Sequence, residues 1–322
     1  MSQPYHHPRL RALITAARAR SLVDHEPVAI GIVYPCDHLA ISAAIAIADA
    51  GVARPVLIGP QALVDETAQA ANADISSFQR VVSDAHSDPI QQAKLAASKA
   101  AQLAAGDEVA ALMKGSLHTD ELMSAIVKPG NGLRTGRRLS HAFVFDLPRY
   151  HKLLALADCV VNIAPSVRTK RDIVGNALAM LRQIGIAHAK VGIVAAIETV
   201  NPAIPATVDA GDLVQLANDG VWPGAIVEGP FGFDNVISAD AAKVKGMNSL
   251  VAGDPDLLIM PDLNAGNILY KSFIYIGGGE CAGLVLGAKV PIVLTSRSDS
   301  LLARTASAAL AVLCVNGRAH CE

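Results

Sequence analysis

The chain has 322 residues, 52% of them hydrophobic, with 27 basic and 29 acidic side chains and a formal net charge of −2. That is apolar material for two ordinary domains or one large one, and intermixed, nearly balanced charge excludes the basic stripe a nucleic-acid binder needs. No run of about 18 apolar residues is free of charge, so no membrane-spanning helix is expected.

At the amino end, arginines interrupt what would be the apolar core of a signal peptide, and residues 1–23 read as a short amphipathic helix. Val28–Tyr34 is an apolar run read as a buried strand. Asp37 is placed to cap a helix over His38–Ala50, with Gly51 as its stop. Further strands are expected at Pro55–Ile58, Phe78–Val82 and Val109–Met113, with an alanine-rich helix at Ile90–Ala104. The second half keeps the rhythm. Its strands are expected at Ala142–Phe145, Cys159–Ile163, Val191–Ile197, Ala225–Val227, Leu257–Met260, Gly283–Leu286 and Pro291–Leu294. Its helices are expected at Thr169–Gly185, Thr207–Asn218, Ala239–Lys245, Asn267–Tyr275 and Leu301–Val315. Short strands alternating with helices mark βαβ units and parallel sheets covered on both faces. About eleven strands exceed one comfortable doubly wound sheet, so two α/β domains with a cleft between them are expected.

The five cysteines, Cys36, Cys159, Cys281, Cys314 and Cys321, are odd in number, scattered, and form no C-x-x-C pair. Neither a zinc knuckle nor a thioredoxin-like motif is supported, and a reduced cytoplasmic protein is the expectation. No H-E-x-x-H motif or acidic cluster speaks for a metal, and no G-x-S-x-G elbow for a serine hydrolase.

Ligands of open α/β sheets gather where strand carboxyl ends meet the following loops. Here those loops begin at Lys114, Pro165, Glu198, Glu228, Pro261 and Thr295, and all are polar. Each alone reads equally as helix-capping chemistry; six together favour a cleft. Lys114-Gly115-Ser116 matches the tail of G-x-x-x-x-G-K-[ST], but position 109 is Val where the motif needs its first glycine. A lysine beside backbone N–H groups can still hold phosphate. His118 reads as a base or as a helix-start donor. Gly277-Gly278-Gly279 formally fits a dinucleotide fingerprint, but strand-like runs follow it instead of a helix, so it is read as a flexible loop. Arg134, Arg137 and Arg138 surround Gly136 as a phosphate clamp or as a solvated hinge. In Ser296-Arg297-Ser298-Asp299-Ser300, Ser296 can donate to an oxyanion and Arg297 can pair with phosphate. Asp299 is either a general base or the cap of the helix at Leu301.

These segments form a linked set in order along the chain: Leu112–Leu122, Gly132–Gly136 with Ser140-His141, Asn162–Pro165, Lys170–Ile173, Glu198–Pro202, Gly229-Pro230 with Phe233–Asn235, Pro261–Asn267, and Gly287–Pro291 with Thr295–Arg297. The set resembles the phosphate acetyl/butyryl transferase family. It looks like the stand-alone form of the phosphate acetyltransferase domain found fused behind hydratase-like domains, with no hydratase segment expected in front of it.

The resemblance implies reversible acetyl transfer between coenzyme A and phosphate, with a phosphate butyryltransferase as the alternative and an NAD- and metal-dependent dehydrogenase of the same fold less favoured. It implies an isocitrate/isopropylmalate dehydrogenase-like fold with the active site in an interdomain cleft. The expected domains are residues 1–140 plus 291–322, and residues 141–290 as the dimerisation domain of a cytoplasmic homodimer. No tightly bound cofactor or metal is expected; acyl-CoA enters as substrate, with phosphate, and neither nucleic acid nor membrane is a partner. Carried over residue by residue, Ser296 stabilises the oxyanion and Arg297 holds phosphate. The acetyl enzymes of that family carry a carboxylate seven positions after the serine, where this chain has Ala303, so the base falls to Asp299 on the same loop. A second phosphate-side arginine falls at Met123, leaving Arg134 or Lys114 to substitute. Ser116, His118, Thr119, Asn201, Asn264 and Asn267 complete the expected substrate cleft.

Overall fold

A computed structural model describes residues 5–23, 27–84 and 86–315. The elements run α1 (Pro8–Val23), β1 (Ala29–Val33), α2 (His38–Asp49), β2 (Arg54–Gly59), α3 (Gln61–Ala70), β3 (Gln79–Val82), α4 (Pro89–Ala105), β4 (Ala111–Lys114) and α5 (Thr119–Val127). They continue with β5 (Ser140–Asp146), β6 (Leu154–Ala157), α6 (Val167–Gln183), β7 (Lys190–Val194), α7 (Pro205–Asn218), β8 (Ile226–Phe231), α8 (Phe233–Ile237), α9 (Ala239–Val244), β9 (Leu257–Ile259), α10 (Leu263–Tyr275), β10 (Glu280–Leu286), β11 (Ile292–Val293) and α11 (Leu301–Val315). Cys321 lies outside the described residues. No described helix is long and apolar enough to cross a membrane.

Local chemistry accounts for most boundaries. The Asp37 carboxylate accepts the Ala40 N–H at 2.7 Å and starts α2, and Gly51 leaves it at φ +64°. Asp88 caps α4 through the Ile90 N–H, with Pro89 where a missing donor costs nothing. In α1, Leu10, Leu13, Ala17 and Ser21 form one buried stripe.

Four expectations need correction. The strand expected at Cys159–Ile163 is instead Leu154–Ala157, because the Asp158 carboxylate draws the Val160 and Val161 N–H groups into a turn at 2.9 and 3.0 Å. Glu228-Gly229-Pro230 is not a loop but lies within β8; Gly229 allows it, since a Cβ there would stand 2.8 Å from Ile193 Cβ. Helix α10 begins four residues early, at Leu263, because Asp262 caps it through the Ala265 N–H at 3.0 Å. Asn264 is therefore helical, as Asn267 was expected to be. The glycine triplet closes that helix tightly: Gly277 and Gly279 donate to Ser272 O and Phe273 O at 2.9 Å each.

The chain folds as two compact units, Leu10–Arg137 with Ala282–Glu322 (the terminal unit) and Met1–Arg9 with Arg138–Cys281 (the central unit). In the terminal unit the strand order is β3-β2-β1-β4-β11-β10. All neighbours are parallel except β10 with β11. Helix α11 packs on α2, β4 and β11, while α4 covers β1, β2 and β4. Strand β1 reads as a nearly unbroken apolar run because both its faces are covered.

The central unit has the order β5-β6-β9-β7-β8, with β5 and β6 antiparallel and the rest parallel. Helix α6 covers β5, β6 and β9, and α7 covers β7 and β8. Phe143, Phe145, Tyr150, Leu156, Phe231 and Met260 lie in its core.

Candidate active site

Three parallel strands of the terminal unit end side by side. Val33 of β1 is in register with Lys114 of β4, and Met113 with Val293 of β11. The segments that follow them are tied together at once. Gly115 N and Ser116 N donate to Val33 O and Tyr34 O, each at 2.9 Å. The Ser116 hydroxyl also donates to Tyr34 O at 2.9 Å and accepts from Cys36 N at 3.3 Å. Thr295 Oγ1 donates to Lys114 O at 2.8 Å. Only glycine fits at 115, where a Cβ would stand 2.5 Å from the Val33 and Tyr34 carbonyl oxygens.

The polar stop after β11 folds back on itself. Ser296 N donates to the Asp299 carboxylate at 2.7 Å, and Asp299 N donates to Ser296 O at 3.2 Å. The Ser296 and Ser298 hydroxyls lie 3.1 Å apart. The cap of α11 is Ser300, whose Oγ accepts the Ala303 N–H at 3.0 Å. Of the two readings open for Asp299, the capping one is thus taken over by its neighbour. Ser296 and Arg297 are exposed, and Asp299 is half-buried.

Beneath this loop lies a residue that sequence reading missed. Arg304, one turn into α11 and only 4% exposed, donates from Nη2 to Ser296 O at 2.6 Å and from Nε to Asp299 O at 3.3 Å. Arg304 is the one charged residue of the helix Leu301–Val315, and the available signal is its place, one helical turn after Ser300.

Charges of both signs crowd the edge. Lys114 Nζ donates to Gly115 O and Leu117 O at 3.2 Å each. Burial lowers its pKa, as do Arg304 and Arg297, while Asp37 and Asp299 oppose them. Burial likewise pulls the Arg304 guanidinium down against Asp299 and Asp37. Lys114 and Arg297, with the buried Arg304 behind them, face the Asp37 and Asp299 carboxylates here, which leaves one net positive charge at this edge. Burial, reinforced by Asp37, pushes the half-buried Cys36 thiol up to about 12, which works against thiolate formation there.

The other expected site residues divide. His118 is the exposed residue before α5, its N–H accepted by the Glu121 carboxylate at 2.9 Å, and Thr119 opens that helix. Both follow directly on the Lys114–Leu117 segment. Arg134 is set apart from this group. It bridges to Ala288 in the turn between β10 and β11, where Lys289 N donates to Leu133 O at 2.8 Å and Lys289 Nζ reaches Ala105 O before β4 at 2.7 Å. That turn precedes β11, so Arg134 stands at the amino-terminal edge of the sheet and Lys114 at the carboxyl edge.

In the central unit, Asn201 builds its own turn, its Oδ1 accepting the Ala203 N–H at 2.9 Å. Asn267 donates to Cys159 O at 3.2 Å and holds α10 on the turn after β6. Asn264 is exposed in the first turn of α10. Both carboxamides with partners serve the fold. Nearby, the buried Asp158 carboxylate accepts from His141 N, Val160 N, Val161 N and Asn162 Nδ2 at 2.6 to 3.1 Å. Among the described residues, no group of three or more His, Cys, Asp or Glu is gathered as for a metal ion.

Comparison with known proteins adds an independent line. The family model described as phosphate acetyl/butaryl transferase matches residues 90–312, more than half of the chain. The phosphate acetyltransferase of Rickettsia felis is 45% identical over 292 residues, covering 90% of this chain and 82% of that protein. The phosphate acetyltransferase of Rhizobium meliloti is 42% identical over 312 residues, covering 97% and 94%. The solved branched-chain phosphotransacylase of Enterococcus faecalis superposes with a TM-score of 0.77 at 28% identity, over 89% of this chain and 99% of that one. With a model match over most of its length and relatives so similar over nearly all of it, the chain belongs to the phosphate acetyl/butaryl transferase family.

Proposed function

We propose that the protein is a phosphate acetyltransferase, interconverting acetyl-CoA and phosphate with acetyl phosphate and CoA. The observation that carries this reading is the convergence of Lys114, Ser296, Arg297 and Asp299 on one sheet edge of a chain whose relatives are phosphate acetyltransferases. In the direction of acetyl-CoA synthesis, Asp299 takes the thiol proton of CoA and the sulfur attacks the carbonyl carbon of acetyl phosphate. Ser296 donates to the oxyanion of the tetrahedral intermediate. The carbon–oxygen bond to phosphate then breaks, the proton held on Asp299 passes to the leaving oxygen, and Arg297 with Lys114 neutralises the hydrogen phosphate dianion that departs, leaving Asp299 ionised again. Transfer is direct within a ternary complex; the elevated Cys36 thiol argues against an acyl-cysteine stage. CoA is a substrate, and no tightly bound cofactor is needed.

The finer fold reading, isocitrate/isopropylmalate dehydrogenase-like with substrates entering an interdomain cleft, belongs to the same proposal, as do a homodimer and a cytoplasmic location. It is supported by the ordered set of family motifs along the chain. Sedimentation of the purified protein tests the dimer.

The decisive assay mixes acetyl-CoA with and without phosphate and follows free thiol. Phosphate-dependent thiol release is expected, and its absence overturns the reading. A longer or branched acyl group is the second reading. It is favoured by Ala303, which stands where the acetyl enzymes carry a carboxylate, and by the likeness to a branched-chain phosphotransacylase. Rates across an acyl-CoA series separate the two.

A further inference from the structure

The loop proposed to carry the reaction is held from below by one side chain that takes no part in it. Arg304 spends two of its donors on main-chain carbonyls, those of Ser296 and Asp299. These are the residues assigned the oxyanion and the thiol proton. A buried guanidinium is costly unless its donors are met, and here the loop backbone accepts two of its five N–H groups. The planar fork of arginine can bond two carbonyls on different residues at once, which a lysine ammonium does less well. With the Ser296–Asp299 pair closed on itself, the fork fixes both ends of the loop relative to α11.

We infer that Arg304 is a positioning residue: its guanidinium clamps the Ser296 and Asp299 carbonyls and so sets Ser296 Oγ and the Asp299 carboxylate for acyl transfer. The inference rests on the proposed acetyltransferase reading. It places Arg304 outside substrate contact, since it is 4% exposed and lies under the loop. Its loss therefore lowers turnover rather than substrate affinity. Displacing a reacting group by about 1 Å costs on the order of 100-fold in rate.

Lysine keeps a buried cation but lacks the fork, whereas methionine keeps only bulk. Arg304→Met is expected to lower kcat about 100-fold, with the KM for acetyl-CoA within about threefold of the parent. Millimolar guanidinium added to that variant is expected to restore part of kcat, which a general loss of stability would not allow. Arg304→Lys is expected to fall between, about 10-fold down in kcat. Circular dichroism establishes that each variant is folded. If Arg304→Met is not, Arg304→Lys decides by the same split. A folded variant with kcat within threefold of the parent overturns the inference, as does a loss confined to KM. An unmutated protein without phosphate-dependent thiol release would instead overturn the acetyltransferase reading, so the two failures are told apart.

Discussion

Ser296 and Asp299 hold each other. The Ser296 N–H donates to the Asp299 carboxylate at 2.7 Å while the Asp299 N–H donates to Ser296 O at 3.2 Å. Mutation of Asp299 can therefore act through chemistry or through the loop. Asn at 299 separates the two, because its carbonyl oxygen still accepts the Ser296 N–H but no longer takes a proton. With Asp299 as the base, Asp299→Asn lowers kcat by about 100-fold or more at an unchanged unfolding midpoint. Full activity in steady-state assays would leave Asp299 as a loop lock alone. Ser300→Ala is the structural control: it removes the cap of α11, costs about 1 kcal/mol of stability, and leaves kcat within twofold.

Arg297 is exposed, and its side chain has no hydrogen-bond partner among the described residues. It is thus available to a ligand without breaking a bond. Arg297→Ala is expected to reduce kcat/KM for phosphate by about 100- to 1,000-fold with little change in stability. Arg297→Lys recovers only part, since a single ammonium does not reproduce a bidentate fork. Initial rates at varied phosphate check both; an Arg297→Ala protein with parental phosphate kinetics contradicts the assigned role.

Arg134 supplies the opposite expectation. Its β-bridge to Ala288 puts it at the edge of the sheet away from Lys114. Arg134→Ala should leave the KM for phosphate within about twofold, whereas Lys114→Ala raises it at least tenfold. A matched rise in both would mean that the two ends of the sheet serve one phosphate.

His141 gives the fold a pH response. It is fully buried, neither ring nitrogen has a hydrogen-bond partner among the described residues, and its ring centroid lies 4.2 Å from that of Phe143. Burial lowers its pKa to about 4 from the ordinary 6.5, against the opposing charge of Asp158. The unfolded chain thus binds the proton more readily between those values. The contribution of His141 is intact above pH 6.5 and declines as pH falls toward 4, by at most ~1.4 kcal/mol per pH unit. Denaturant unfolding across that window, compared with His141→Leu, should show the decline in the parent and a shallower one in the variant. An imidazole NMR titration centred at the ordinary value would contradict it.

The residues of helices such as α2 and α11 announced themselves because capping and periodic burial act within about one turn. So did the polarity of the stop after β11. The strand at Cys159–Ile163 was misplaced because a β-branched run is read by its side chains, while the turn there is made by Asp158 taking backbone N–H groups. The expected start at Asn267 is four residues late because Asp262-Leu263-Asn264 reads as loop, whereas the Asp262 cap draws Asn264 into the helix.

What the sequence alone determined was the alternation of α and β, the Ser-Arg-Ser-Asp-Ser loop, and, through its ordered motifs, the family. Only the tertiary structure decided which loops meet. Val293 lies beside Met113, and Thr295 is bonded to Lys114, because β11 inserts next to β4. Arg134 went to the far edge and Arg304 under the loop after β11 by the same packing. Propensity and capping are short-range and leave their mark on neighbouring residues. Strand order is set by closing a distant segment into a buried slot, and no local pattern records which slot that is.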